Sequence, residues 1–183
     1  LAGVSGSVGW LAMINAGGTR LHPETMRRVL AEHGRWISAS NLARVGGTAR
    51  RTAGGYVFTG RWPFASGCPH SLFFSGLAGV LDERGEPETD PATGGPRTIY
   101  ASMPMTSLRI LDTWDGLGLR GTGSDTYAVE DLFVPEAYSL RRDTDAERRV
   151  DAPLYRFGTT HLYASGFAGV SLGIARGLLD AFV

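Results

Sequence analysis

Apolar residues recur at helical spacing only towards the two ends of the chain. Leu1, Val4, Val8, Leu11 and Ile14 fall near a helical period, and Gly17 and Gly18 stop that run. A second helix is predicted to open at Pro23 and Glu24, because proline suits a first turn and a carboxylate suits the positive end of the helix dipole. Met26, Val29 and Leu30 are its predicted apolar side, and Gly34 its stop. The helical pattern returns over 154–183, with Leu172, Ile174, Ala175, Leu178, Leu179 and Phe182 available for burial. Gly166 and Gly169 would weaken that helix in isolation, so close packing against a neighbour is expected.

Between these stretches the texture changes. After Trp36, glycine, threonine and aromatic residues become dense, and short extended runs lie between turn signals. Strands are predicted at 56–59, 72–80, 97–103, 108–113 and 126–134, with 82–96 as a surface hairpin loop and 141–151 as a charge-rich connector. Short strands at this spacing suggest a small barrel or sandwich rather than a parallel sheet. The order helical, all-β, helical predicts an α+β chain with three parts: 1–35 as the end of a helical domain, 36–137 as a middle β-domain, and 138–183 as a connector and the first helix of a bundle. There is no internal repeat. The chain starts at Leu1 and stops at Val183 inside a helical pattern, so it is read as a central fragment of a longer protein.

Composition narrows the function classes. The 183 residues are 43% hydrophobic and 20% charged, ordinary for a globular protein. Eighteen basic and eighteen acidic residues balance, so no net field directs the chain to nucleic acid or anionic lipid. Every basic residue is arginine, which excludes Schiff-base, Walker-lysine and Ser-Lys chemistry. Cys68 is the single cysteine, so no intrachain disulfide can form. No secretory leader and no run of about 18 apolar residues is present, so a cytoplasmic protein without a membrane segment is expected.

Most motifs have a plain structural reading. Gly116-Leu-Gly118-Leu-Arg-Gly121 matches the dinucleotide fingerprint, but a strand rather than a helix is predicted after it, so it reads as a glycine-rich turn. His22, His33, His70 and His161 lack metal-ligand spacing, and no metal site is expected. His33 suits a helix C-terminus, whereas His70 lies beside a candidate site. No nucleophile elbow is present. Cys68, in a Gly67-Cys68-Pro69 turn, reads as a packing residue. The segment Gly60-Arg61-Trp62-Pro63-Phe64-Ala65-Ser66-Gly67 crowds two large aromatics and a hydroxyl into a turn. It is either the rim of a barrel core or a wall for a flat ring whose edge would bond Ser66 or the Gly67 amide.

The stretch from Gly54 to Gly67 resembles the middle β-domain of the acyl-CoA dehydrogenase superfamily. The block Trp114, Gly118-Leu-Arg-Gly-Thr-Gly-Ser124 and Phe133-Val-Pro-Glu136 resembles the end of that domain. True dehydrogenases usually carry a Trp-Ile-Thr motif at the flavin and a Thr-Glu-Pro…Gly-Ser-Asp string upstream. This chain has Trp-Pro-Phe-Ala-Ser-Gly and Asn41-Leu-Ala-Arg-Val-Gly-Gly-Thr48. It is more similar to the two-component flavin-dependent monooxygenases of the hydroxyphenylacetate and dibenzothiophene type.

That resemblance implies an oxidoreductase using reduced flavin, FMN or FAD, supplied by a flavin reductase, to hydroxylate an aromatic or polycyclic small molecule. It places Phe64 against the flavin ring, Ser66 at its N5, and Trp62, Ala65 and Gly67 along the same wall. It implies a homotetramer formed through the C-terminal bundle, and a catalytic base lying beyond Val183, so no catalytic residue is assigned. The Thr122-Gly123-Ser124 turn reads as structural first, with a flavin or subunit contact as an extra. The alternatives are an FAD-dependent acyl-CoA dehydrogenase with an electron-transfer partner, and a non-catalytic β-domain that binds another protein.

Overall fold

A computed structural model describes residues 21–41, 44–118, 120–141, 151 and 153–182. Its elements are α1 (Pro23–His33), β1 (Ser38–Asn41), β2 (Gly47–Thr52), β3 (Gly55–Trp62), β4 (Phe73–Leu81), β5 (Thr98–Pro104), β6 (Arg109–Leu111), β7 (Thr126–Pro135), β8 (Ser139–Leu140) and α2 (Thr159–Phe182). The strands form one mixed sheet, ordered β6-β7-β3-β2-β4-β5-β8, that curves into half a barrel. β1 and β2 both run parallel to β4, one after the other along the same edge, while the other pairings are antiparallel. The five expected strands are present. β1, β2 and β8 escaped expectation because Ser-Ala-Ser-Asn, Gly-Thr-Ala-Arg-Arg-Thr and Ser-Leu carry few β-branched or aromatic residues; their pairing partners make them strands. The predicted helix within 1–15 lies outside the described residues.

α1 begins and ends where its punctuation predicts. His22 Nδ1 accepts the Glu24 amide, and Gly34 closes the helix in the left-handed region with its amide on the Leu30 carbonyl. Its buried side differs from expectation: Thr25 and Val29 are buried, with Leu21 just before the helix, while Leu30 is exposed. Thr25 can face inward because its hydroxyl donates to the Ala137 carbonyl, 3.2 Å away. Arg28 adds a second tie, donating to the Tyr138 hydroxyl at 2.6 Å. The C-terminal helix forms as predicted, but Leu172, Ile174, Leu178, Leu179 and Phe182 are exposed rather than buried in this chain.

The core lies on one face of the sheet. Trp62, Phe58, Phe74, Tyr127, Met103, Val80 and Val134 are buried together there. Trp62 is its centre. An added Cβ at Gly60 would stand 2.8 Å from the indole, and one at Gly76 also 2.8 Å; one at Gly46 would stand 2.6 Å from Nε1. Three glycines therefore form the slot that admits the ring. The indole N–H then donates to the Leu77 carbonyl at 2.9 Å, so this buried polar group is satisfied.

The 82–96 loop is the expected hairpin. Glu88 anchors it, accepting both Nε and Nη2 of Arg51 at 2.8 and 3.0 Å and facing Arg97 at 3.2 Å. The Arg51 guanidinium holds the Glu88 carboxyl below its ordinary range.

Two outcomes are expected. Gly76→Ala should cost roughly 1–3 kcal/mol by overpacking against Trp62 and Met103. Combined with Trp62→Phe its further cost should shrink, which denaturant unfolding of the four variants would show. Glu88 has a lower pKa folded than unfolded, so it adds stability above about pH 4.3, and that contribution is lost as pH falls through the folded value. Glu88→Gln should therefore flatten the acid limb of a stability-against-pH curve; an unchanged limb would contradict the assignment.

Candidate functional site

The candidate segment leaves the sheet at the end of β3. The last β3–β7 pair is Trp62 with Tyr127, after which both chains depart from strand geometry but stay side by side. The Ala65 amide donates to the Asp125 carbonyl at 3.0 Å. The Ser66 and Ser124 hydroxyl oxygens lie 2.9 Å apart. The Cys68 thiol points at the Gly123 carbonyl at 3.4 Å. Residues 65–68 are thus stitched to 123–125 at three successive points.

Phe64 sits at the bend with φ of +58°. A non-glycine residue held in the left-handed region stores roughly 1–3 kcal/mol, and such strain concentrates at ligand sites. The backbone there is fixed by the Ser66 amide donating to the Phe64 carbonyl at 3.0 Å, and by Gly67, also left-handed at +82°. The consequence is a phenylalanine left 65% exposed. One flank meets Trp114 edge-on, with centroids 6.2 Å apart at 80°. Asp125 positions that partner: its Oδ1 accepts the amides of Thr113 and Trp114 at 3.1 and 3.0 Å.

The five expected wall residues therefore separate into two groups. Phe64, Ser66 and Gly67 lie together at an accessible bend, whereas the Trp62 and Ala65 side chains are fully buried in the core. Cys68 is the packing residue expected, and its burial pushes the thiol pKa up. His70 is exposed on the short turn that follows, and His161 is exposed near the start of α2. No group of metal-binding side chains occurs among the described residues. The Gly116–Gly121 motif lies in the connection between β6 and β7, so the turn reading holds.

Sequence reasoning reads the Thr122-Gly123-Ser124 turn as structural first, with a flavin or subunit contact as an extra, gives Trp114 no role at the site, and passes over Asp125. Their role depends on the β3–β7 register, which no local pattern announces. Asn41, at the end of β1, also reaches the segment, its side-chain amide donating to the Pro63 carbonyl. On the opposite face of the sheet, Trp36 stacks on Phe73 with centroids 4.6 Å apart. There Trp36 Nε1 and Ser40 Oγ are buried with no hydrogen-bond partner among the described residues.

An exposed aromatic ring beside a hydroxyl is an arrangement on which a flat heteroaromatic ring can stack and hydrogen-bond. The residues present therefore fit a flavin.

Replacing Asp125 by Ala should release the two amides and cost about 1 kcal/mol, as loss of a cap does, while Asp125→Asn keeps the accepting oxygen and most of the stability. Unfolding curves and tryptophan emission of both variants test this.

No family profile matches the chain. It is 32% identical over 155 residues to a pigment production hydroxylase of Rhodococcus erythropolis, covering 79% of this chain and 37% of that protein. It is 32% identical over 144 residues to the oxygenase subunit HsaA of a flavin-dependent monooxygenase from Rhodococcus jostii, covering 75% and 35%. Among solved structures, XiaF of a Streptomyces species, in complex with FADH2 and glycerol, superposes with a TM-score of 0.75 at 29% identity, over 94% of this chain and 43% of that one. The chain thus spans well under half the length of these relatives, and over most of its own length it is similar to oxygenase components of flavin-dependent monooxygenases.

Proposed function

We propose that the protein containing this chain is the oxygenase component of a two-component monooxygenase, and that residues 64–67 form the wall of its reduced-flavin site. The observation carrying this reading is Phe64, a residue 65% exposed on a left-handed backbone two positions before Ser66. The named relatives, and a structural neighbour holding FADH2, support it. When bound, reduced flavin supplies the electrons that activate dioxygen for hydroxylation of the substrate.

The chain's own residues bind, orient and dry the ring. Phe64, braced by Trp114, offers an apolar face. Ser66 offers a hydroxyl to the ring edge, and the Gly67 amide a backbone donor. The buried Trp62 and Ala65 act through the backbone, setting where Phe64 and Ser66 emerge. Phe64 and Trp114 would keep water from one side of the bound ring. For the small-molecule substrate, aromatic or polycyclic, the face carrying Trp36 and Ser40 offers two buried hydrogen-bonding groups without partners among the described residues.

We assign the reductase partner, the choice between FMN and FAD, a tetrameric assembly and a cytoplasmic setting to the same reading. The division into 1–35, 36–137 and 138–183 accords with it: the sheet falls almost wholly within the middle part. The exposed apolar residues of α2 make that helix the element expected to enter a bundle. No helix among the described residues is long and apolar enough to cross a membrane.

The test uses the full-length protein. Phe64→Ala and Ser66→Ala should each raise the Kd of reduced flavin, by roughly tenfold for the lost stacking surface and somewhat less for the lost hydroxyl. With a flavin reductase and NADH, the parent should place one atom of isotopically labelled dioxygen in a phenolic product. Parent-like flavin binding in both variants would refute the placement. Tightly held oxidised FAD together with oxidation of an acyl-CoA would favour the dehydrogenase alternative.

A further inference from the structure

We propose that Ser124 is a positioning residue whose hydroxyl lets Ser66 reverse its hydrogen bond when the flavin changes oxidation state. The proposal rests on the flavin placement above.

The two hydroxyl oxygens are 2.9 Å apart, and either can be the donor. Among the described residues Ser66 Oγ has no other hydrogen-bond partner. Ser66 is half-buried between the fully buried Ala65 and Cys68 side chains, so Ser124 Oγ is the acceptor the fold itself supplies. The pair is brought together by fold rather than chance. The β3–β7 register places Trp62 opposite Tyr127, and the left-handed Phe64 then advances the 62–66 chain by one residue, setting Ser66 beside Ser124. Gly123, with φ of +55°, turns the second chain to meet it.

A serine hydroxyl carries one proton and two acceptor sites. The N5 atom of an oxidised flavin is an acceptor, whereas in the reduced ring it carries a hydrogen and donates. Facing the oxidised ring, Ser66 donates outward and accepts from Ser124. Facing the reduced ring, Ser66 accepts from it and must send its own proton elsewhere. Ser124 Oγ is the acceptor within reach. Two hydroxyls in series thus serve both states by turning together, with no movement of the backbone, the half-exposed Ser124 turning its own proton to solvent when it accepts from Ser66. Without Ser124 the oxidised state loses only a donor to a spare lone pair. The reduced state leaves a partly buried O–H with no acceptor among the described residues, the costlier deficit.

The two states therefore report separately. Titration of full-length protein with oxidised flavin in air and with reduced flavin under anaerobic conditions, FAD and FMN in turn, gives a pair of Kd values for each variant. Ser124→Ala should weaken reduced flavin roughly five- to tenfold, with less than about a twofold change for the oxidised form. Ser124→Thr should stay near the parent ratio. In a Ser66→Ala background, adding Ser124→Ala should produce no further change in the ratio. Should Ser124→Ala not fold, Ser124→Thr and Ser124→Val, alike in shape and differing in the hydroxyl, make the same comparison. A merely structural role would weaken both states by one factor, so equal shifts, or none, overturn the relay. Ser66→Ala leaving both Kd values unchanged would instead overturn the flavin placement beneath it.

Discussion

The site depends on how one indole is buried. Trp62 fills a slot that exists only because Gly46, Gly60 and Gly76 have no side chains, and its N–H is satisfied by the Leu77 carbonyl. Full burial of a ring this size is worth several kcal/mol, and the hydrogen bond fixes its orientation as well as its depth. Since Trp62 is the last residue of β3, anchoring it fixes the point and direction at which the chain leaves the sheet. Phe64 and Ser66 lie two and four residues beyond that anchor, too few to wander far. A core residue thereby sets the geometry of an exposed site.

The register of β7 supplies the other half. Along most of the ladder, positions pair with residue numbers summing to 190, as in Tyr56 with Val134. After Phe58 the sum becomes 189, as in Trp62 with Tyr127. The change is made by a bulge at Asp131, which adopts φ of +49°. Thr59 locks it from both sides, donating to Asp131 Oδ1 at 3.2 Å and accepting the Asp131 amide at 3.0 Å. Without that bulge the inward and outward faces of β7 would be exchanged below it, and Tyr127 would leave the core. Bulge, tryptophan and bend form one chain of constraint running down β3.

The legible parts of the sequence were those governed by local rules. Pro23 and Gly34 bound a helix because their backbone preferences act within a few residues, and the apolar runs at 73–81 and 98–104 become strands for the same reason. The Trp-Pro-Phe-Ala-Ser-Gly segment stood out as aromatic and polar at once. What sequence could not supply was which aromatic faces inward. Alternation along β3 would place both Trp62 and Phe64 on one side of the strand, and only the reversal at Phe64 separates a core ring from an exposed one. The pairing of Ser124 and Asp125 with this segment was illegible for a related reason: they lie 58 and 60 residues from Ser66 and Ala65, and join them only through strand pairing.

Energetics explain why the clasp has several stitches. Holding Phe64 in the left-handed region costs roughly 1–3 kcal/mol, and leaving its ring in water forgoes the gain of burying it. One hydrogen bond returns about 1 kcal/mol net, too little alone to hold the strained conformer against a relaxed, inward-turned alternative. The Ala65 amide, the Ser66 hydroxyl and the Asp125 carboxylate together come within reach of that cost, and each bonds the same three-residue stretch of the neighbouring chain or originates from it. The strained conformer is therefore sustained by the polar clasp rather than by apolar packing. The ring is thereby kept out of the core at a cost that its one edge contact, with Trp114, only partly offsets.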